Sequence, residues 1–88
     1  MKQYRKKPVV IEAIVFDDSA ECLQALCDAG LDPVHVSYGV KKDAPQLIID
    51  TLEGKHAANV GDYVIKGVKG EFYPCKPKWF ETYYEEVR

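Results

Sequence analysis

The sequence predicts an α+β fold, built on a curled antiparallel β-sheet or partial barrel. Short runs of strand-forming residues recur along the chain, and two segments carry helical patterns. The connections after the first helix are short, which favours antiparallel pairing between successive strands. The predicted order is β-α-β-β-β-β-β-α, with one helix covering the sheet and a short aromatic helix near the C-terminal end.

Length and charge limit the possible classes of protein. The 88 residues suit a single domain, residues 1–88. The formal net charge of −2 lacks the basic excess of a dedicated nucleic-acid binder. Basic residues crowd the segment 1–7, whereas glutamates crowd the segment 81–86. We expect the segment 1–7 to be a solvated arm that is attracted to the acidic segment; a basic arm for phosphate is the functional alternative.

Composition also predicts a cellular compartment. No apolar run reaches the length of about 18 residues that a membrane-spanning helix needs, so no membrane association is expected. The apolar run from Val9 is short and contains Glu12, which does not resemble a signal peptide. Three cysteines, an odd number, favour a reducing compartment. We therefore expect a cytoplasmic protein.

The run Val9–Phe16 is the strongest strand prediction. Only Glu12 interrupts its apolar residues, so both faces are expected to be largely buried, as in a central strand with a helix on one side. Pro8 marks the entry to this strand.

The first helix is predicted over Ala20–Ala29. Asp17, Asp18 and Ser19 are all good N-cap types, and Asp18 followed by Glu21 resembles a capping box. Gly30 is expected to end the helix as a C′ glycine. One apolar stripe at helical spacing is expected to face the core. Its members are Cys22, Leu23, Leu26, Cys27 and Ala29.

The middle of the chain alternates strands with turns. Val34, Val36 and Tyr38 recur at every second position, which predicts one buried face. The predicted elements are a strand from Pro33 to Tyr38, a polar loop over Gly39–Pro45, a strand over Gln46–Leu52, a turn at Glu53 and Gly54, and a weak strand over Lys55–Val60.

A hairpin follows around Gly67 and Gly70. A two-residue loop would require positive φ at Val68, which a β-branched residue resists, so a type I turn with Val68 and Lys69 at its centre fits better. Pro74 cannot donate to a ladder, so the second strand is expected to be an edge or to end there. The expected register pairs Lys66 with Glu71, Ile65 with Phe72 and Val64 with Tyr73.

The last element is a short aromatic helix. Pro77 suits its first position. Spacing by four residues predicts two aromatic ridges, Trp79 with Tyr83 and Phe80 with Tyr84. A domain of this size cannot easily bury both ridges, so one is expected to be core and the other is a candidate binding surface.

Catalytic and metal-binding patterns are weak in this sequence. Cys75 next to Lys76 is a candidate reactive thiol, although a semi-buried core cysteine is the commoner case. His35 and His56 lie on predicted strands without a fixed partner for a metal site. We expect no enzyme activity and no cofactor.

The candidate binding residues lie in the C-terminal third of the chain. Tyrosine and tryptophan are enriched at binding hot spots, and rings flanked by lysines also suit stacking on a nucleotide base beside a phosphate. Burial of the whole aromatic cluster in the core is the alternative. The candidates are Lys69, Tyr73, Lys76, Trp79 and Tyr83.

Several segments together resemble a family of small uncharacterised proteins encoded by bacteriophages and prophages. The matching pieces are Tyr4–Ala13, Thr51–Gly54, Gly61–Pro77 (GDYVIKGVKGEFYPCKP), Phe80 and Tyr84–Glu85. The region from Phe16 to Pro45 has no such match. The resemblance implies a phage accessory protein in the cytoplasm of a bacterial host, and it brings no catalytic residues.

Two functional hypotheses follow. The first is a non-enzymatic protein that binds a host bacterial protein and inhibits an antiviral defence protein. The second, from a different class, is a sponge for a signalling nucleotide, with the nucleotide at the interface of a homodimer.

Overall fold

The computed structural model describes residues 1–4, 9–31, 34–38, 44–51 and 53–87. Its elements confirm the predicted α+β fold and the predicted order of strands and helices. They are β1 (Glu12–Val15), α1 (Ala20–Asp28), β2 (His35–Ser37), β3 (Gln46–Thr51), β4 (Gly54–Asn59), β5 (Tyr63–Lys66), β6 (Phe72–Cys75) and α2 (Pro77–Tyr83). Predictions that lie outside the described residues concern residues 5–7 of the basic segment 1–7, the entry at Pro8, the start at Pro33, the loop over residues 39–43 and the strand end at Leu52.

The strands form two unclosed three-stranded sheets, ordered β1-β5-β6 and β2-β3-β4, and every pairing between neighbours is antiparallel. This arrangement fits the predicted curled antiparallel sheet. The chain passes from one sheet to the other at the turn between β4 and β5. There the Asn59 amide donates to the Asp62 carboxylate, and the Asp62 amide donates to the Asn59 carbonyl, both at 2.9 Å.

The first strand is an edge strand, so the prediction of a central strand over Val9–Phe16 is wrong. β5 pairs with β1 on one side and with β6 on the other, and it therefore occupies the centre of the sheet. Val9 and Val10 precede β1 and remain 50% and 75% exposed. Phe16, directly after β1, is fully buried.

The first helix begins at one of the three predicted cap residues, but without the predicted capping box. Ser19 is the N-cap, and its hydroxyl accepts the Cys22 amide at 3.0 Å. Asp18 has a left-handed backbone (φ 58°), so the capping box at Asp18 is wrong. Gly30 (φ 111°) ends the helix as predicted. Its amide donates to the Cys27 carbonyl, and the next amide reaches back to Leu26, as in a Schellman motif.

The core lies between α1 and the inner faces of both sheets. Its buried members are Phe16, Cys22, Leu26, Leu47, Ile49, Ala58 and Val64. Leu23 packs against this cluster, whereas Cys27 is exposed because it lies about 140° around the helix from Cys22. Tyr38 was expected to face the core, but it follows the end of β2, is 45% exposed and donates its hydroxyl proton to Asp18 at 3.0 Å.

The register of the β5–β6 hairpin differs by one residue from the predicted register. The observed pairs are Lys66 with Phe72, Ile65 with Tyr73, Val64 with Pro74 and Tyr63 with Cys75. A β-turn is present, since the Gly70 amide donates to the Gly67 carbonyl at 3.0 Å. Neither Val68 nor Lys69 has positive φ, as the predicted type I turn requires. However, Gly70 adopts φ 84° and adds a third loop residue, so that Gly67 faces Glu71. One extra residue in the loop shifts every pair. β6 is an edge strand, as Pro74 predicted.

Candidate binding surface

The start of α2 is fixed by an ion pair to the turn between β4 and β5. Lys76 is the N-cap and has extended backbone angles, and Pro77 occupies the first turn. The Lys76 Nζ lies 2.9 Å from Oδ2 of Asp62, whose side chain is 8% exposed. The same Asp62 oxygen accepts the Asn59 amide. One carboxylate therefore holds both the turn and the beginning of the helix.

One aromatic ridge of α2 packs on the outer face of β5. The Phe80 ring stacks on the Tyr63 ring with centroids 3.7 Å apart, and it also stacks on Tyr84 at 5.0 Å. Tyr63 and Ile65 alternate along β5 with Val64, which faces the core, so this ridge lies on the opposite face of the sheet. The contact is made at the first residue of β5, on the face of that strand opposite the core. Phe80 and Tyr84 are half-buried in this position and lie outside the buried core, so the prediction that one ridge is core is wrong.

The other ridge faces solvent. Trp79 and Tyr83 are 53% and 71% exposed, and their rings stack at a centroid distance of 6.2 Å. The Lys78 ammonium lies 5.9 Å from the centre of the Trp79 ring. α2 has no fully buried side chain. The aromatic surplus inferred from the sequence is therefore present at the surface.

A broad cleft with a volume of about 1190 Å³ adjoins the exposed ridge; we call it the outer cleft. It lies between the segment that precedes β1, the β5–β6 hairpin and the end of α2 with the residues after it. Its lining residues are Val9, Val10, Ile11, Ala13, Tyr63, Gly67, Val68, Glu71, Tyr73, Phe80, Tyr83, Tyr84, Glu85, Glu86 and Val87.

The charged lining of the outer cleft is acidic. Glu71, Glu85 and Glu86 line it, and within the described residues no lysine or arginine does. Lys69 is exposed at the turn of the hairpin. Lys76 forms an ion pair with Asp62. The lysines that were expected to flank the rings therefore do not form a phosphate-binding set around the cleft.

The environment also determines the ionisation of two side chains near the cleft. Burial, and after it the Tyr84 hydroxyl and the Glu71 carboxylate, raise the pKa of Tyr73 to about 12. Burial and the nearby Asp62 carboxylate raise the pKa of the Cys75 thiol. The hypothesis that Lys76 activates this thiol is therefore wrong, because Lys76 pairs with Asp62 and the net environment disfavours the thiolate.

The structure brings only some of the predicted site residues together. Tyr73 and Tyr83 line the outer cleft, and Trp79 stacks on Tyr83 beside it. Lys69 and Lys76 do not line it. The acidic lining was missed, although the glutamates near the C-terminal end were a visible signal for Glu85 and Glu86. Glu71 was missed because the predicted register paired it with Lys66.

The remaining chemistry of the described residues is sparse. They contain no group of three or more histidine, cysteine or carboxylate side chains that could hold a metal ion. His35 and His56 are both exposed on the β2-β3-β4 sheet. Among the same residues, no helix has the length and apolar character needed to cross a membrane. Comparisons with protein-family models, curated proteins and solved structures found no match.

Proposed function

We propose that this chain is a binding protein without catalytic activity, and that its exposed aromatic ridge contacts a protein partner. The observation that carries the proposal is the stacked pair of Trp79 and Tyr83, exposed next to the outer cleft. Tryptophan and tyrosine bring a large rigid contact area with a polar tip, which is why they dominate binding hot spots.

The opposite ridge supports this proposal by orienting the helix. Phe80 stacks on Tyr63, and Lys76 is paired with Asp62, so α2 is held both at its start and in its middle. These two contacts restrict the orientation in which the exposed rings are presented. A preorganised surface loses less conformational entropy on binding than a mobile one, which favours affinity.

The biological context of the proposal comes from the resemblance to phage and prophage proteins. It favours a partner in the cytoplasm of a bacterial host, and inhibition of an antiviral defence protein is the role we propose. Nucleotide binding is the alternative. The acidic lining of the outer cleft and the ion pair of Lys76 disfavour it, since a phosphate needs cationic or amide donors.

Affinity capture with quantitative mass spectrometry tests the proposal. The wild type, a Trp79→Ala/Tyr83→Ala variant and a Tyr4→Ala/Val60→Ala control are used as baits in bacterial lysate. The control removes exposed apolar area elsewhere, since Tyr4 and Val60 are 90% and 53% exposed. We expect a bacterial protein that the wild type and the control enrich and that the Trp79/Tyr83 variant loses. If all three baits enrich the same proteins equally, the proposal fails.

A second experiment addresses the role and the alternative ligand. Expression of the wild type, but not of the Trp79/Tyr83 variant, should restore phage plating on a strain whose defence system is the target. A thermal-shift panel of nucleotides is run in parallel, because a ligand that binds the folded state raises the Tm by mass action. A nucleotide that raises the Tm of the wild type, without any captured protein, would favour the nucleotide sponge.

A further inference from the structure

We infer that the outer cleft accepts a basic and apolar segment of the protein partner. The inference rests on the proposed function, since it names the chemistry that the partner presents next to the Trp79–Tyr83 pair. The cleft and the pair are continuous, because Tyr83 belongs to both.

Charge is the first argument for this occupant. Three carboxylates, from Glu71, Glu85 and Glu86, line the cleft, and the described part of the chain places no cationic side chain among them. Like charges that share a cleft reinforce each other's field, which attracts a cationic partner and repels an anionic one. A lysine-rich or arginine-rich segment is therefore favoured over an acidic peptide or a nucleotide.

The apolar part of the lining is the second argument. Val9 and Val10 on one side are 50% and 75% exposed, and Val68 and Val87 on the others are 70% and 75% exposed. Tyr73 also lines the cleft. A partner that supplied charge alone would leave this surface in water, whereas a segment with interspersed apolar residues would bury it.

Size is the third argument. Pockets for small molecules usually enclose roughly 300–1,000 Å³. The outer cleft exceeds that range, at about 1190 Å³, and it extends from the hairpin turn to the residues after α2. This extent suits a stretch of polypeptide.

Fluorescence anisotropy with two synthetic peptides tests the inference. The first peptide has twelve residues, with four lysines and four leucines separated by glycine and serine. In the second peptide a glutamate replaces each lysine. The proteins are the wild type, a Glu85→Gln/Glu86→Gln variant and a matched Glu21→Gln/Glu53→Gln control. Glu21 and Glu53 are exposed and do not line the cleft, and both variants lose two negative charges.

We expect the lysine peptide to bind the wild type and the control equally. Its binding should weaken as sodium chloride screens the charges. Binding to the Glu85/Glu86 variant should be about threefold to tenfold weaker, as expected for the loss of two partly exposed charge contacts. The glutamate peptide should not bind. Equal binding of the lysine peptide to all three proteins, or equal binding of the two peptides to the wild type, would overturn the inference.

The remaining outcomes separate this inference from the proposed function. If lysate capture depends on Trp79 and Tyr83 but the lysine peptide does not bind, the proposed function stands. The inference that the cleft accepts a basic segment is then wrong. If the peptide binds through Glu85 and Glu86 but no protein is captured, the proposed function fails. Sedimentation of the protein without peptide tests whether a second copy of this chain occupies the cleft. A dimer that the Glu85/Glu86 variant dissociates, and the control does not, would contradict the inference.

Discussion

Phe80 stacks on Tyr63 with ring centroids 3.7 Å apart and ring planes within 8° of parallel, and this contact joins α2 to the outer face of β5. The position of the exposed ridge depends on it. Since Trp79 precedes Phe80 on the same short helix, any rotation of α2 that broke the stack would also move Trp79 and Tyr83.

The stack can be tested by removing one ring. Phe80→Leu keeps an apolar side chain but loses the ring pair, which is worth about 0.5–1.5 kcal/mol beyond area burial. For a domain of this size, 1 kcal/mol corresponds to a Tm shift of roughly 4–8 °C. Calorimetry of Phe80→Leu should therefore show a clear decrease, whereas Tyr83→Leu, at a 71% exposed position, should change little. Equal decreases in Tm for Phe80→Leu and Tyr83→Leu would mean that both ridges stabilise the fold.

The two glycines of the hairpin turn should respond differently to alanine. Gly70 has φ 84°, a left-handed conformation that costs an alanine about 1–2 kcal/mol. Gly67 has no such constraint, and the atoms nearest to an added Cβ belong to the Glu71 side chain, which is exposed and can move. Urea unfolding should therefore show a loss of stability for Gly70→Ala and a change within about 0.5 kcal/mol for Gly67→Ala. The reverse order would contradict the three-residue loop.

This hairpin also shows which features the sequence could predict. The type I turn followed from local preferences, as did the Gly30 helix stop and Pro77 at the start of α2, because each depends on the backbone freedom of one residue. The predicted register was wrong because the same type I turn fits a two-residue loop and a three-residue loop. The choice between these loops depends on whether Gly70 adopts positive φ.

Features that depend on distant partners were less predictable. The apolar run at Val9–Phe16 suggested a central strand, but strand position is decided by β5, which lies some fifty residues away and pairs on both of its edges. The candidate site likewise has one part that local sequence spacing predicts and one part that depends on distant residues. The exposed Trp79–Tyr83 pair followed from helical spacing, whereas the acidic cleft required Glu71 and Glu85 to be brought together by the fold.

The two members of the Asp62–Lys76 ion pair should contribute unequally to the stability of the protein. Asp62→Ala removes the acceptor of a backbone amide as well as the partner of Lys76, and a hydrogen bond to a charged group contributes about 1.5–3 kcal/mol. Lys76 is 58% exposed, so Lys76→Ala should cost only about 0.2–1 kcal/mol. Denaturant unfolding of both variants measures the difference. If Lys76→Ala cost as much as Asp62→Ala, the ion pair rather than the turn would be the main contribution.

Tyr73 should make the stability of the protein depend on pH in the alkaline range. Its folded pKa is raised from 10.0 to about 12, chiefly by burial, so the neutral phenol is favoured in the folded state. The resulting stabilisation is complete below about pH 10, the pKa of an unfolded tyrosine, and it is lost as the pH rises through about 12. Tyr73→Phe cannot ionise, so its stability should fall less steeply over this window.

Tyrosinate absorbance at 295 nm checks this expectation directly. The difference between the titration curves of the wild type and Tyr73→Phe reports the removed phenol together with its interaction with the neighbouring Tyr84 hydroxyl. Circular dichroism at each pH confirms that the chain is still folded. We expect the difference curve to have its midpoint near pH 12. A midpoint near pH 10 in the folded protein would show that the Tyr73 hydroxyl is solvated, and that neither burial nor Tyr84 and Glu71 disfavour its charge.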